Sequence, residues 1–375
     1  MYIALFDKDY LALGKRATYH ASAWSLRMAT VEMDSFTATC QEIENSVNAL
    51  FVGLFEDTGR LKYLAFSGAP KTERGVTSIN GRDLKWIFRQ KRRLNYSSYA
   101  INASTATIAT WVSYLLSLPK SENDPNGRPS CGLSYSVDVS AMPSTRLYNT
   151  GYEIPKFDAI GDVWEELVRA MNIFGFVIET IFTYTNTGSA IGSITFKAKP
   201  ISKTYDIRLS DFDHPKVRDD ASGVNRSIAY QITKVKDSDG NETGETTVDA
   251  SCTYVIVSKS DGTEEIKSSL LTTDKPLYPS RMVAYEDEDF DKAKSKAVEE
   301  LTKNLYNASV ELNCGAPLAK YLVEASEGLA IYGKIYGYNA ADLTTYRVLP
   351  LQWKSEDSKG NVKMCFGRLD DYKYL

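Results

Sequence analysis

The sequence predicts an α+β, multidomain protein: β-barrel-like domains plus a small α/β domain of antiparallel sheet with two helices. Three observations carry this reading. Short alternating segments recur along the chain, the pattern of half-buried strands. Two one-sided apolar stripes at helical spacing lie far apart in sequence. Between them, Asp237-Ser-Asp-Gly240 and Ser260-Asp-Gly262 read as hairpin turns separating polar strands.

The elements follow in order. The chain opens on a strand, Tyr2–Phe6, followed by Asp7-Lys-Asp9, and residues 1–102 alternate strands with one helix, as a first β-barrel domain would. Within this region, Val76–Ile79 reads as β and Asn80-Gly81 as a turn. The run to Leu94 then reads as a basic amphipathic helix. Leu84, Ile87 and Phe88 fall at i, i+3 and i+4 and share one face. Arg82, Lys85, Arg89, Lys91, Arg92 and Arg93 take the remainder.

Residues 103–200 are assigned to the α/β domain. Ala103–Leu118 is helical through Trp111, Leu115 and Leu118, and Pro119–Pro129, with Asp124-Pro-Asn-Gly127, is a loop. Cys131–Ser140 alternates, with Leu133, Tyr135, Val137 and Val139 facing one way, so it is a half-buried strand. Ile160, Val163, Trp164, Leu167, Val168 and Met171 trace the first stripe. Gly175 ends that helix, Phe176–Tyr184 extends, and Asn186-Thr-Gly188 turns the chain into Ile191–Ala198.

Residues 201–282 read as a second β domain. In 283–375, Phe290, Ala293, Ala297, Val298, Leu301 and Leu305 form the second helix, with acids at Glu286–Asp289 suiting its N-terminal dipole. Ser309–Leu312 extends from it. This helix–strand unit is expected on the same sheet as the first, with 283–326 completing the α/β domain. The final strands are Leu329–Tyr338, Tyr346–Trp353 and Val362–Phe366, the last two separated by a turn over Lys354–Asn361.

Composition narrows the function. The 375 residues are 43% hydrophobic and 25% charged, the balance of a globular protein with cores to bury. A net charge of -4 gives no pull toward nucleic acid or anionic membrane. No basic, apolar leader opens the chain, so no signal peptide is expected. The most apolar stretch, Ile173–Phe182, is broken by Glu179 and too short to span a bilayer. The five cysteines are scattered and never form a C-x-x-C pair, so buried free thiols are expected rather than a zinc or disulfide framework.

Each candidate for chemistry meets a physical objection. Gly328 to Lys334 nearly matches a phosphate loop, but Ile335 stands where a hydroxyl should hold magnesium. The intervening residues read as an ordinary apolar strand. His20 and His214 are the only histidines, which leaves few members for a triad or metal site. Asp211-Phe-Asp213-His214 reads as a solvated acidic loop. Asp237 to Asn241 suggests a calcium loop, yet the twelfth position is Val248, so a hairpin turn is expected. Tyrosine and tryptophan could bind sugar, but at this level they fill sheet faces and interfaces.

The Val76–Leu94 run, with its strand, its Gly81-Arg82-Asp83-Leu84 turn and its terminal arginines, resembles a piece of the first barrel domain of phage tail hub proteins. The strand that opens the chain, the acidic late helix and the closing Val362–Gly367 run agree with it in order and length. The chain is similar to the short tail-tip protein of lactococcal-type siphophages. The resemblance implies a structural, non-enzymatic hub of the tail tip or baseplate in the virion, assembled in the host cytoplasm. Hub relatives carry two similar barrels per subunit, so a homotrimeric ring could match a six-fold tail tube and close its channel until DNA release. Implied partners are the distal tail protein ring, the tail tube or tape-measure protein and, indirectly, receptor-binding proteins. DNA would pass transiently, without stable nucleic-acid binding. Trp86, Arg89, Arg92 and Arg93 are the expected interaction surface, with no catalytic, cofactor or metal residues. Breaker-rich Pro119–Pro129 and Lys275–Pro279 are expected hinges. The competing readings are a cell-wall hydrolase and a carbohydrate-binding adhesin.

Overall fold

The computed structural model describes residues 1–13, 19–43, 46–94, 105–120, 133–147, 152, 154–155, 159–184, 190–212, 215–219, 223–259, 263–276, 281–305, 308–314, 328–336 and 346–367. The Asp124-Pro-Asn-Gly127 loop, the Asn186-Thr-Gly188 turn, His214, the Ser260-Asp-Gly262 turn and Leu277–Pro279 lie outside them. What is described is mostly β-sheet.

The first strands are β1 (Tyr2–Phe6), β2 (Ala12–Leu13), β3 (Ala21–Ala29), β4 (Ser35–Gln41), β5 (Phe51–Phe55), β6 (Leu61–Ser67), β7 (Lys71–Glu73) and β8 (Val76–Asp83). Six of them form an antiparallel ladder in the order β1-β5-β6-β8-β4-β3. Alternation builds it: in β4, Phe36, Ala38 and Cys40 turn inward while Ser35, Thr37 and Gln41 do not. With Leu5, Leu26, Val52 and Ile79 they fill one core. The ladder curls until its ends touch. Ile3 N–H donates to Tyr19 O (2.9 Å) and Ala21 N–H to Met1 O (3.1 Å), around a single Tyr2–His20 bridge. No closed barrel forms among the described residues.

Asn80-Gly81 does not turn. It runs inside β8, and Gly81 faces Phe36 and Ala65 so closely that a Cβ would sit 2.9 and 2.8 Å from them. The glycine serves close packing. The basic helix expected after it is one short 3₁₀ turn, Leu84–Phe88, and Lys91–Arg93 is a strand, β9.

Next come α1 (Ile108–Ser117), β10 (Ser136–Asp138), β11 (Ile160–Asp162), α2 (Val163–Ile173), β12 (Phe176–Tyr184) and β13 (Ile191–Pro200). Strands β9 and β11 make an antiparallel ribbon, and β10-β13-β12 a small sheet. Helix α2 packs on α1 and β12, burying Trp111, Trp164, Leu167 and Phe196 in one cluster. Gly175, at φ +67°, ends the α2 turn as expected. Ile160 is not part of the helical stripe. It belongs to β11 and is 70% exposed.

The chain then lays down β14 (Lys203–Arg208) and β15 (Lys216–Asp219). A separate sheet follows, of β16 (Arg226–Lys236), β17 (Glu242–Ser258), β18 (Glu264–Lys267), β19 (Lys275–Pro276) and β20 (Met282–Asp287), ordered β18-β17-β16-β20 with β19 on β17. Helix α3 (Phe290–Thr302), capped by Asp289, lies across it. Ala293 and Ala297 meet Ala229, and Ser227 Oγ donates to Ala297 O (2.9 Å). Small residues permit this close approach. The two helices therefore do not share a sheet as expected: α2 covers β12, and α3 covers β16, β17 and β20.

The last strands are β21 (Ala308–Cys314), β22 (Ile331–Tyr336), β23 (Tyr346–Asp357) and β24 (Val362–Gly367). With β14 and β15 they make a second six-stranded ladder, β14-β22-β23-β24-β21-β15, around Ile207, Leu312, Ile331, Leu351 and Phe366. Taking each set in chain order, both ladders read first–fourth–fifth–sixth–third–second. One direction differs: β1 is antiparallel to β5, whereas β14 is parallel to β22. The ladders join where β23 pairs with β3, which makes a single 14-stranded sheet. The five-stranded sheet with α3 is thus an insert between the second and third strands of the second ladder.

Candidate assembly surfaces

The segment after β8 is anchored from within. Asp83 Oδ1 accepts from Lys85 N–H (2.9 Å), which caps the 3₁₀ turn and directs the Lys85 side chain inward. Its ammonium lies 3.2 Å from Asp34 Oδ1, 3.1 Å from Asp83 Oδ2 and 3.0 Å from Ala29 O, and is 2% exposed. Tyr63 OH donates to Asp34 Oδ2 (3.3 Å). Two carboxylates share one ammonium. Burial, with the Asp83 charge, pushes the Asp34 carboxyl up to about 6. Burial also lowers the Lys85 ammonium, but Asp34 and Asp83 outweigh this and hold it above its ordinary value. The Trp164 ring lies 5.5 Å from Lys85 Nζ, and Trp164 Nε1–H donates to Val31 O (2.7 Å). This cluster ties the first ladder to α2.

The surface residues predicted from sequence separate into two groups. Trp86 is 49% exposed, with the Arg82 guanidinium 5.7 Å from its ring. Arg89 faces Glu165 at 3.8 Å, and Arg93 lies opposite Ile160 in the β9–β11 ribbon. Arg92 points the other way. It is buried, donating from Nε to Gln90 Oε1 (3.1 Å) and from Nη1 to Leu118 O (3.0 Å). In a strand, neighbours alternate faces, so Arg92 cannot share a surface with Arg93. Arg82, Trp86 and Ile160 are exposed, and Arg89 and Arg93 are half-buried. Ile160 was missed because it fits the helical stripe that begins three residues later.

A second open region is the far end of the β16–β17 hairpin. Strand β20 pairs with β16 only as far as Gln231, and β18 with β17 only at Val255–Ser258. Glu242–Asp249 are exposed on both faces, including Val248 at 59%.

The chemical candidates are occupied by structure. Asp237 Oδ1 accepts from the N–H groups of Asp239 and Asn241 (both 2.9 Å), which is a hairpin turn. Asp357-Ser-Lys-Gly-Asn361 makes the same turn with the same bonds (2.9 and 3.0 Å). Among the described residues no group of three His, Cys, Asp or Glu side chains could hold a metal. The phosphate-loop lookalike is strand β22. Its leading N–H groups already hold an anion, because Glu179 Oε1 accepts from Leu329 (2.6 Å) and Ala330 (3.2 Å). A Cβ on Gly328, at φ +64°, would collide with that carboxylate. Gly333 lies against Phe366 and Ile207. His20 packs against Tyr2, the two rings tilted by 44° with centroids 4.3 Å apart.

No family model matches the chain, and no curated protein matches it in sequence. Solved structures do. Prophage tail protein gp18 from Listeria monocytogenes EGD-e superposes with a TM-score of 0.50 at 11% identity, covering 100% of this chain and 96% of that one. A chain of the phage p2 virion baseplate in its activated conformation gives 0.46 at 11% identity, over 99% and 100%. An E. coli component of the type VI secretion system, structurally similar to T4 bacteriophage tail proteins gp27 and gp5, gives 0.41 at 8%, over 96% and 76%. Along its whole length, the chain shares its fold with a phage tail protein.

Proposed function

We propose that this chain is a structural hub of a phage tail tip or baseplate, residing in the virion. The observation that carries the reading is the pair of ladders with one strand order. Two like units per chain let three chains present six units to a six-fold tail tube, and closed cyclic symmetry is the usual solution for oligomers. The fold shared with a prophage tail protein supports the same assignment. The ring would join tube to baseplate, contact the distal tail protein and the tube or tape-measure protein, and close the channel until DNA passes. The insert carrying α3 is the element proposed to reach the axis, because it leaves and re-enters the second ladder between the neighbouring strands β15 and β21 and includes an exposed hairpin. Its role is binding and gating, without catalysis. Light scattering on the purified chain should give three copies, and a tail-tip reconstruction should show two ladders per subunit in one ring. Six copies in the ring, each giving one ladder, would refute it. A clearing band in a cell-wall zymogram would refute the non-enzymatic role.

A further inference from the structure

The junction inside the chain has an unused counterpart. In the second ladder, the fifth strand, β23, outgrows its neighbour. β22 pairs with only the Tyr346–Pro350 part of β23, and beyond it Trp353–Asp357 pairs with Ser25–Ala29 of β3, the second strand of the first ladder. A fifth-strand extension thus meets a second-strand edge. The side chains that dress this junction reach across it: Arg27 lies over the Trp353 ring at 4.9 Å, and Lys62 Nζ meets Glu356 at 2.7 Å.

The first ladder has a fifth-strand extension of its own. After Gly68 the line of β6 continues in β7, which pairs with β8 from Lys71–Ser78 to Glu73–Val76. No strand among the described residues covers the other edge of β7, and all three of its residues are exposed. The second ladder likewise has a second-strand edge to spare. β15 pairs with β21 on one side, and no described strand covers the other. Val217 of β15 is 49% exposed, and Val76, the β8 partner of Glu73, is 45% exposed beside β7. Unpaired edge strands are ready templates for another chain.

We propose that β7 of one copy pairs with the free edge of β15 in a second copy, repeating between chains the β23–β3 junction that joins the ladders within one. The proposal rests on the hub reading and adds to it the two strands that make the intersubunit contact. The contact is head-to-tail, using different patches on the two copies, so it closes into a ring when its rotation permits. Main-chain hydrogen bonds between edges supply the affinity, as in strand addition generally.

The test places cysteines at both edges of the full chain, Thr72→Cys with Val217→Cys, and treats the purified protein with a short bis-maleimide. The double variant should shift on a denaturing gel from one chain to two and three chains. Each single variant, and the unmodified protein with its native cysteines, should lack this ladder. A companion variant, Val217→Asp, should shift the light-scattering mass from three chains to one without changing the circular dichroism. A three-chain mass with no pair-specific cross-links would overturn the strand pairing and leave the hub reading standing. A one-chain mass at every concentration, with no cross-links in assembled tails, would overturn both.

Discussion

The two ladders share a strand order and treat the same link in opposite ways. Between the second and third strands of the first ladder, the link is a five-residue turn, Thr30–Asp34. It is clamped: Ala29 O and Asp34 hold Lys85, Val31 O accepts from Trp164, and Thr30 Oγ1 donates to Gln352 O (3.0 Å). In the second ladder that link leaves the ladder altogether and carries five strands and α3 before returning as β21. The core of the second ladder needs none of the insert, since its buried residues come from its own strands and their flanks. A ladder therefore tolerates a large excursion where two neighbouring strands meet, because their pairing is set by the sheet and loop length adds closure entropy only slowly. The clamped link fixes the position of the first ladder on α2. The open link carries a module whose strands lie outside the second ladder's core.

The comparison breaks most readily at Lys85. Lys85→Ala would leave Asp34 and Asp83 buried with no cation, which costs on the order of 3–5 kcal/mol. Urea unfolding should show the unfolding free energy fall by that amount, with the midpoint falling in proportion. A matching loss is expected for Trp164→Ala, whose ring fills the other side of the clamp, at about 3–5 kcal/mol. A small loss in both would mean that the clamp is not what holds the first ladder to α2.

A smaller effect is expected in the second ladder. Gly328→Ala combines a positive φ with a collision against Glu179, so roughly 1–3 kcal/mol should be lost. The Glu179 carboxylate tethers β12 to the start of β22, and Lys354 Nζ donates to Gly328 O (3.3 Å) nearby. Burial holds the Lys354 ammonium below its ordinary value. Hydrogen exchange should rise in β22 before it rises in β5 or β8. Equal loosening of both ladders would show that they unfold as one unit despite their separate cores.

How much of this was legible in sequence depended on whether two periods could be told apart. β1 and β12 lie where their apolar patterns placed them, and Asp289 marked the start of α3. From Leu84 to Arg93 the run is short enough for apolar residues at i, i+3 and i+4 to fit a helix, while the chain makes a 3₁₀ turn and then a strand. Arg92 was misplaced for that reason. Gly81 looked like a turn because nothing local reveals that Phe36 and Ala65 will press on it. The repeat of ladder order has no trace as a sequence period, since one copy is interrupted by the insert and the other is not. The Lys85 clamp was equally hidden: a lysine in a basic run reads as solvated until Asp34, 51 positions away, is brought beside it.

The clamp also makes the first ladder respond to pH. The folded-state pKa of Asp34 is raised from 3.8 to about 6. A raised value means that the folded state binds the proton more tightly than the unfolded state. This contribution is fully present below pH 3.8 and is lost as pH rises through 6. Lowering pH from 7 to 5 should therefore add about 1 kcal/mol through this one group. Other carboxylates, such as Asp138, held down to about 2 by Lys197 and Ser140, lose their contribution only at more acid pH. The difference between the unmodified chain and Asp34→Asn, followed by urea unfolding across this window, isolates the effect. No difference between them would place the shared proton elsewhere in the cluster.

The smallest effect on stability, and the sharpest on assembly, is expected at Trp86. This residue follows the sixth strand of the first ladder, and the described chain stops at the sixth strand of the second, so it has no described counterpart there. Its ring is half exposed and its contact with Arg82 lies at the surface. Trp86→Ala should change unfolding free energy by no more than about 0.5 kcal/mol, as surface substitutions do. An exposed tryptophan beside arginines is, however, the composition of an interface anchor. Co-assembly with tail-tube and distal-tail proteins should therefore weaken while the three-chain mass stays unchanged. If Trp86→Ala instead lowers stability and leaves assembly intact, the residue is part of the first ladder's own packing, and the two ladders differ only in their links.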